Sequence, residues 1–433
     1  MSIVKQLFAN LALTTIDSHV LFLERARRET DRGRRVGADL ALGAYIVARL
    51  VDALLDFDDT PEAQSALAWQ RDATAKQISE LPQSVPEASH LSGIVDAVQL
   101  GSESRSALAV SLTAYAYFLE YEGRLEEALD ILALSARTRE EHLSIAELAS
   151  YALFAGKLHR LLSRWPQALA CYQAAEDAGR VSNDLVVMLR GRLHQGAVAR
   201  GQGNLPKARE IAEAIAAEAA ELGLPQVQGL AYADLSAVYS LQGLPLEGIR
   251  AAYAAFLVAM TPADRMSALG DLAISLVEIG ATDQARLALE IVASTKTDFR
   301  LRTNAILELM DLESVAGNRL AFERHRGAAE THRDRMPPSM LVDYLFKIGV
   351  GQVRFGLLDR ARDSFTLALQ TAEMYALHRW YFRIEDALGR LGSDAAPAVS
   401  PVQTAPAPEL REASVVQEVE LGLREFSAAA ALA

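Results

Sequence analysis

The sequence holds a single cysteine, Cys171, among 433 residues. One thiol cannot close an internal disulfide, so the fold is held without covalent cross-links and a reducing compartment is its natural home. Aromatic residues make up only 6%, and no run approaches the roughly 18–20 uncharged apolar residues that a membrane-spanning helix needs. The opening stretch "MSIVKQLFANLALTTIDSHVLF" has one lysine and an apolar segment broken by Asn10, Thr14, Thr15, Asp17 and His19. It lacks the clean apolar core and small-residue cleavage site of a signal peptide. Basic charge is also short: 43 Lys and Arg against 56 Asp and Glu give a net charge of −13, which argues against broad adhesion to nucleic acid or anionic membrane. The expectation is a cytoplasmic protein.

The motifs of catalysis are absent too. The chain has no GxxxxGK[ST], no strand followed by GxGxxG, no HExxH, no CxxC and no GxSxG, the constellations that phosphate, metal and acyl chemistry normally require. Its eight histidines are scattered; "EEHL" around His142 and "ERHRGAAETHRD" around His325 and His332 have acidic neighbours without paired metal-ligand spacing. They read as surface or packing residues, and Cys171, beside Tyr172, reads as a buried thiol. The chain is expected to be no enzyme and to carry no cofactor and no metal.

What is present is apolar residues, 51% of the total and mostly Ala and Leu, the composition of a helix former, and a pattern that returns. "EGRLEEALDIL" (122–132) is followed at steps of 40 by "LSRWPQALACY" (162–172), "QGNLPKAREIA" (202–212) and "QGLPLEGIRAA" (242–252). At slightly shorter steps come "IGATDQARLAL" (279–289), "AGNRLAFERHR" (316–326) and "FGLLDRARDSF" (355–365). A helix pattern runs up to each turn and another begins after it. Gly123, Gly203, Gly243, Gly280, Gly317 and Gly356 fall where a left-handed residue closes the first helix, with Ser163 in that place in repeat two. Five positions later stands a small residue, Ala128, Ala168, Ala208, Gly248, Ala285 or Ala361, that lets the second helix approach the first; Phe322 breaks the rule in repeat six.

These features resemble the tetratricopeptide repeat (TPR). The matching small residues of the first helix are Ala116, Gly156, Gly196, Ser236, Ala273 and Gly349, with Met310 departing, and large residues of the second helix include Leu132, Tyr172, Leu289 and Phe365. The resemblance covers residues 104–392. It implies an all-α fold: an α-solenoid of about seven TPR-like helix-turn-helix repeats forming a right-handed superhelix. The common repeat is about 34 residues, so these longer steps are similar to the sensor domains of maltose-activator-type transcription factors and of Rap-type and peptide-pheromone-sensing bacterial regulators.

Before the array, residues 3–28, 37–56, 62–81 and 86–100 read as helices, so 1–103 is an N-terminal helical bundle or a set of divergent repeats. Asp59 or Thr60 precedes Pro61 as N-cap and first helical residue. After Gly392, "SDAAPAVSPVQTAPAP" (393–408) is an Ala/Pro-rich linker. Residues 409–433 read as an amphipathic tail helix with Val415, Val416, Val419, Leu423 and Phe426 on one face and an acidic balance from Glu409, Glu412, Glu418, Glu420 and Glu425.

The resemblance implies a concave face lined by first helices. In repeats two and three these carry Lys157, His159, Arg160, Arg190, Arg192, His194 and Arg200; in repeats four and five they carry Ala233, Ala237, Ile274 and Val277. A groove basic at one end and apolar at the other suits an acidic, amphipathic peptide, against the alternative of solvated charges spread by chance. The carboxylate clamp of some TPR proteins needs asparagines missing here. A second basic cluster, "ERARRETDRGRR" (24–35), reads either as a solvated helix end and loop or as a contact for nucleic acid or an acidic partner. The tail has three readings: docking into the chain's own or a neighbour's groove near Arg190, Arg192 and Arg200, a partner-facing helix, or an inert extension. The functional expectation is a scaffold that binds a protein or peptide partner, with no nucleic acid and no membrane; the alternative is a peptide-responsive regulator of the Rap type.

Overall fold

Ala- and Leu-rich segments separated by one left-handed residue build helices in pairs. A computed structural model describes residues 19–56, 60–98, 102–139, 142–295, 299–375, 377–391 and 413–432. Among these there is no strand and no helix long and apolar enough to cross a membrane. The chain divides into two compact units, 1–202 and 203–433.

In the first unit, α1 (Val20–Asp31), α2 (Arg35–Leu55), α3 (Pro61–Ser79) and α4 (Pro86–Ala97) precede the repeats. Then follow α5 (Ser102–Tyr121), α6 (Leu125–Arg139), α7 (Ile145–Leu161), α8 (Trp165–Ser182) and α9 (Leu185–Gly201). The cap of α3 is Thr60, whose hydroxyl accepts from the amide of Ala63, while Asp59 and the expected helix before residue 19 lie outside the described residues. Hairpins form from α5 with α6 and α7 with α8, and α9 packs on α8.

The second unit holds α10 (Leu205–Glu221), α11 (Pro225–Leu241), α12 (Pro245–Val258), α13 (Pro262–Glu278), α14 (Thr282–Ser294), α15 (Phe299–Val315) and α16 (Arg319–Glu330). After a 3-10 turn come α17 (Pro338–Arg354), α18 (Leu358–Met374), α19 (His378–Leu391) and the tail helix α20 (Ser414–Leu432). Here α11 pairs with α12, α13 with α14, α15 with α16 and α17 with α18. The repeated helix pairs make this an all-α helical-repeat chain of TPR-like units. The linker 393–408 and residues 409–412 lie outside the described residues.

The turn logic is visible in the backbone. All six turn glycines have φ between 71° and 82°, and Ser163 adopts the same conformation at φ 57°, where a side chain is normally disfavoured. The small-against-large rule is equally physical. A Cβ on Gly156 would lie 2.6 Å from the Tyr172 ring, and one on Gly349 would lie 2.5 Å from Phe365. Repeat six departs at Met310 and Phe322, yet both are fully buried. The Phe322 ring fits because Gly351, on the first helix of the next repeat, leaves it room: a Cβ there would come within 2.4 Å. The volume gained at one position is thus lost at a neighbour, as close-packed interiors require.

Candidate functional site

The first unit builds its candidate surface from the first helices α7 and α9. Lys157 is half exposed and pairs with Glu120 of α5 at 3.0 Å. Arg160 and Arg190 are partly buried, each with an Nε that is shielded and without a hydrogen-bond partner. His194 lies beside them, its ring 5.1 Å from that of Tyr172. Burial, then the charges of Arg190, Arg160, Arg200 and Lys157, pull the His194 imidazole down to about 4, so it is neutral at pH 7. The charges of these four cations, carried on α7 and α9, all act on this one ring. Tyr117 of α5, 51% exposed, stacks on Phe154 at 4.0 Å and feels the charge of Arg190. Sequence reasoning missed this aromatic edge; the i, i+7 spacing of Val110 and Tyr117, both exposed, was the available signal.

His159 departs from the expectation. It is 5% exposed, neither ring nitrogen has a partner, and burial followed by the charge of Arg164 holds it down at about 4. It packs inside the repeat and offers nothing to the face. Cys171 is fully buried, and burial pushes its thiol up to about 12, which makes it unreactive.

In the second unit, Ala233 lines a cleft with Leu230, Ala255, Met260, Asp264 and Asp271, between α11 and α13. Its volume of about 80 Å³ falls well below the roughly 300–1,000 Å³ of small-molecule sites and suits single apolar side chains. Met260, 67% exposed, and Ile274, 49% exposed, border open surface, and Ala237 is partly buried on α11. Val277 instead packs into the apolar cluster that includes the tail. The two aspartates give this region an acidic rim that the residue pattern of the first helices alone did not reveal.

The tail does not follow the first helices. Val415, Val416, Val419 and Leu423 are 5% exposed or less, and α20 packs against α12 and α14, the second helices of repeats four and five. Phe426 meets Phe256 edge-on at 5.3 Å, with the Arg265 guanidinium 5.7 Å over its ring. Gln284 donates to Glu420 at 2.8 Å. Docking near Arg190, Arg192 and Arg200 is therefore corrected to docking on the second helices of repeats four and five. The apolar stripe is the reason: complementary packing supplies burial there, whereas surface charge pairs supply little.

The second basic cluster is also revised. Arg25 is partly buried, its side chain 11% exposed, bonding both Glu87 oxygens at 3.1 and 2.8 Å and lying 3.3 Å from Glu127. Arg124 and the Tyr115 hydroxyl also bond Glu87. Burial pushes the Glu87 carboxyl up, but Arg124 and Arg25 outweigh it and hold it at about 2. Glu127 is pushed up by burial. Nearby, His19 bonds Asp130 at 2.7 Å and Asp52 at 3.1 Å. Burial pulls its imidazole down, yet the two carboxylates raise it to about 9. Arg27 and Arg28 stay exposed, and Arg32 and Arg34 lie within 4 Å of Glu29. Part of the cluster is thus core, not surface. Among the described residues no group of three or more His, Cys, Asp or Glu is placed to hold a metal ion.

No family model matches the chain and no curated protein matches it. Among solved structures it is similar to a Rap protein complexed with Competence and Sporulation Factor, at 11% identity over 81% of this chain and 99% of that one, with a TM-score of 0.42. It is also similar to a Signal Transduction ATPase with Numerous Domains protein with a tetratricopeptide repeat sensor from Pyrococcus horikoshii. There the identity is 14% over 76% of this chain and 56% of that one, with a TM-score of 0.38.

Proposed function

We propose that the chain is a non-enzymatic scaffold that binds an acidic, amphipathic protein segment on the first-helix face of its repeats. The observation that carries this reading is the convergence of Lys157, Arg160, Arg190 and Arg200 on His194, beside the exposed Tyr117 ring. Such a surface is cationic although the chain carries a net charge of −13. A carboxylate-bearing segment gains charge-assisted bonds there, and an aromatic edge adds apolar burial at low entropic cost. The small cleft between α11 and α13 favours side chains over a metabolite.

The test is affinity purification from the native host with the wild-type chain and an R160E/R190E variant, followed by mass spectrometry. A partner held by the wild type and lost from the variant is the expected result. Retention of the same partner by both overturns the assignment of this face. A segment whose addition shrinks the hydrodynamic radius of the chain would shift the reading toward a peptide-responsive regulator.

A further inference from the structure

The second unit carries a helix-docking surface separate from the first-helix face. We propose that the second-helix face of α12 and α14 is a binding site for an amphipathic helix, and that α20 is its releasable occupant in cis. The inference does not depend on the function proposed above.

Four observations support it. The 21 residues from 392 to 412 separate α19 from α20, a reach of at most roughly 70 Å, so the tail is tethered at this position without being forced into it. Its apolar residues Val415, Val416, Val419 and Leu423 follow one stripe at i, i+1, i+4 and i+8 and are all buried, the anchor pattern of a helix laid in a groove. Its other face carries Glu418, Leu421, Arg424 and Glu425, all exposed, and three of the four are charged and suited to water when the helix is free. Finally, Gly422 lies against Tyr253 of α12, where a Cβ would come within 2.0 Å of the hydroxyl oxygen. That fit requires a residue without a side chain where helix propensity alone would favour alanine. Ordering the tail costs conformational entropy, which its apolar contacts, Ala413 and Phe426 among them, must offset. The chemistry of an outside ligand follows from the tail itself: β-branched and aromatic residues on one stripe, a small residue facing Tyr253, and acidic residues outward.

The probe is a fluorescently labelled synthetic peptide of residues 409–433, and the proteins are the full-length wild type and a full-length V416D/L423D variant. Binding is followed by anisotropy, with circular dichroism checking that the variant stays folded. A cis tail acts at an effective concentration in the millimolar range, so the wild type should bind the peptide at least tenfold more weakly than the variant. A peptide carrying L423D should bind neither. A peptide carrying G422A should bind the variant protein more weakly than the unmodified peptide, although its intrinsic helicity is higher. Equal binding of the peptide by both proteins, or none by the variant, overturns the proposal. So does tighter binding of the G422A peptide. A wild type of twice the monomer mass that becomes monomeric in the variant would place the tail on a second copy and overturn occupancy in cis.

Discussion

Among the described residues each unit has a closure that reaches far beyond neighbouring repeats, and the two differ in how much charge they bury. In the first unit buried polar groups join the apolar Phe22: His19 bonds Asp130 across 111 positions, and Arg25 joins Glu87 and Glu127, so α1 is tied to α2, α4 and α6. In the second the closure is mainly apolar: the tail buries a valine and leucine stripe, and Gln284 donates to Glu420 across 136 positions. Elsewhere in the second unit ion pairs join adjacent repeats, as with Glu308 and Lys347 or Asp311 and Arg354. A repeat array otherwise has contacts only between neighbours, so these closures mark what is added to it. Buried charges accept few alternative partners and fix one arrangement, whereas an apolar stripe exchanges one helix for another of similar spacing. The first closure is a lock and the second a latch.

The largest effect should come from breaking the lock. Replacing Arg25 with Ala leaves Glu87 and Glu127 buried with less compensation, and loss of one partner of a buried pair costs about 3–5 kcal/mol. Thermal unfolding should show a lowered first transition, and hydrogen exchange should rise in α1 and α4 while α13 to α18 keep their protection. Uniform loss across both units would mean that Arg25 does not lock the first unit in particular.

The repeat signal made the hairpins legible: a glycine turn and a small residue five positions on are local requirements, visible wherever they occur. The two closures were harder to read. Arg25 stands in a run of six arginines, and nothing in "ERARRETDRGRR" separates it from exposed Arg27 and Arg28, because its burial depends on Glu87 and Glu127, far along the chain. The tail's apolar stripe was legible, but its address was not. Charge complementarity pointed to Arg190, while the partner surface on α12 and α14 depends on which helix face the repeats leave uncovered. His159 was misread for a similar reason: a first-helix position two residues from Lys157 lies on the packed side of the same helix.

A pH series separates lock from latch with a smaller effect. His19 has its pKa raised to about 9 in the folded chain, so its contribution is fully present below its unfolded value near 6.5 and is lost as pH rises through about 9. The apolar residues that anchor the tail do not titrate there. Hydrogen exchange at pH 10 relative to pH 7, corrected for the intrinsic rate, should show α1 losing protection while α20 keeps it. On the acid side His159 and His194, both held near 4, stabilise the fold above about 6.5. That contribution drains away as pH falls toward 4. A His159→Phe variant should therefore lose less of its melting temperature between pH 7 and pH 5 than the wild type. An equal loss would show that the imidazole keeps its solution pKa and is not desolvated.

The smallest effect compares the same turn in the two units. Ser163 holds φ 57° where Gly356 holds φ 73°. A side chain in the left-handed region costs about 1–2 kcal/mol, and glycine returns roughly 0.4–1 kcal/mol of that through the freedom of the unfolded chain. Ser163→Gly should therefore stabilise the first unit by about 0.5–1 kcal/mol, and Gly356→Ser should destabilise the second by a similar amount. Both positions are solvent-facing, and space is open around Gly356, so backbone conformation rather than packing sets the sign. Denaturant unfolding of both variants measures the pair. Opposite signs of similar size mean that one turn geometry governs both units. If Ser163→Gly instead destabilises, its hydroxyl makes a contribution in solution that the turn geometry does not account for.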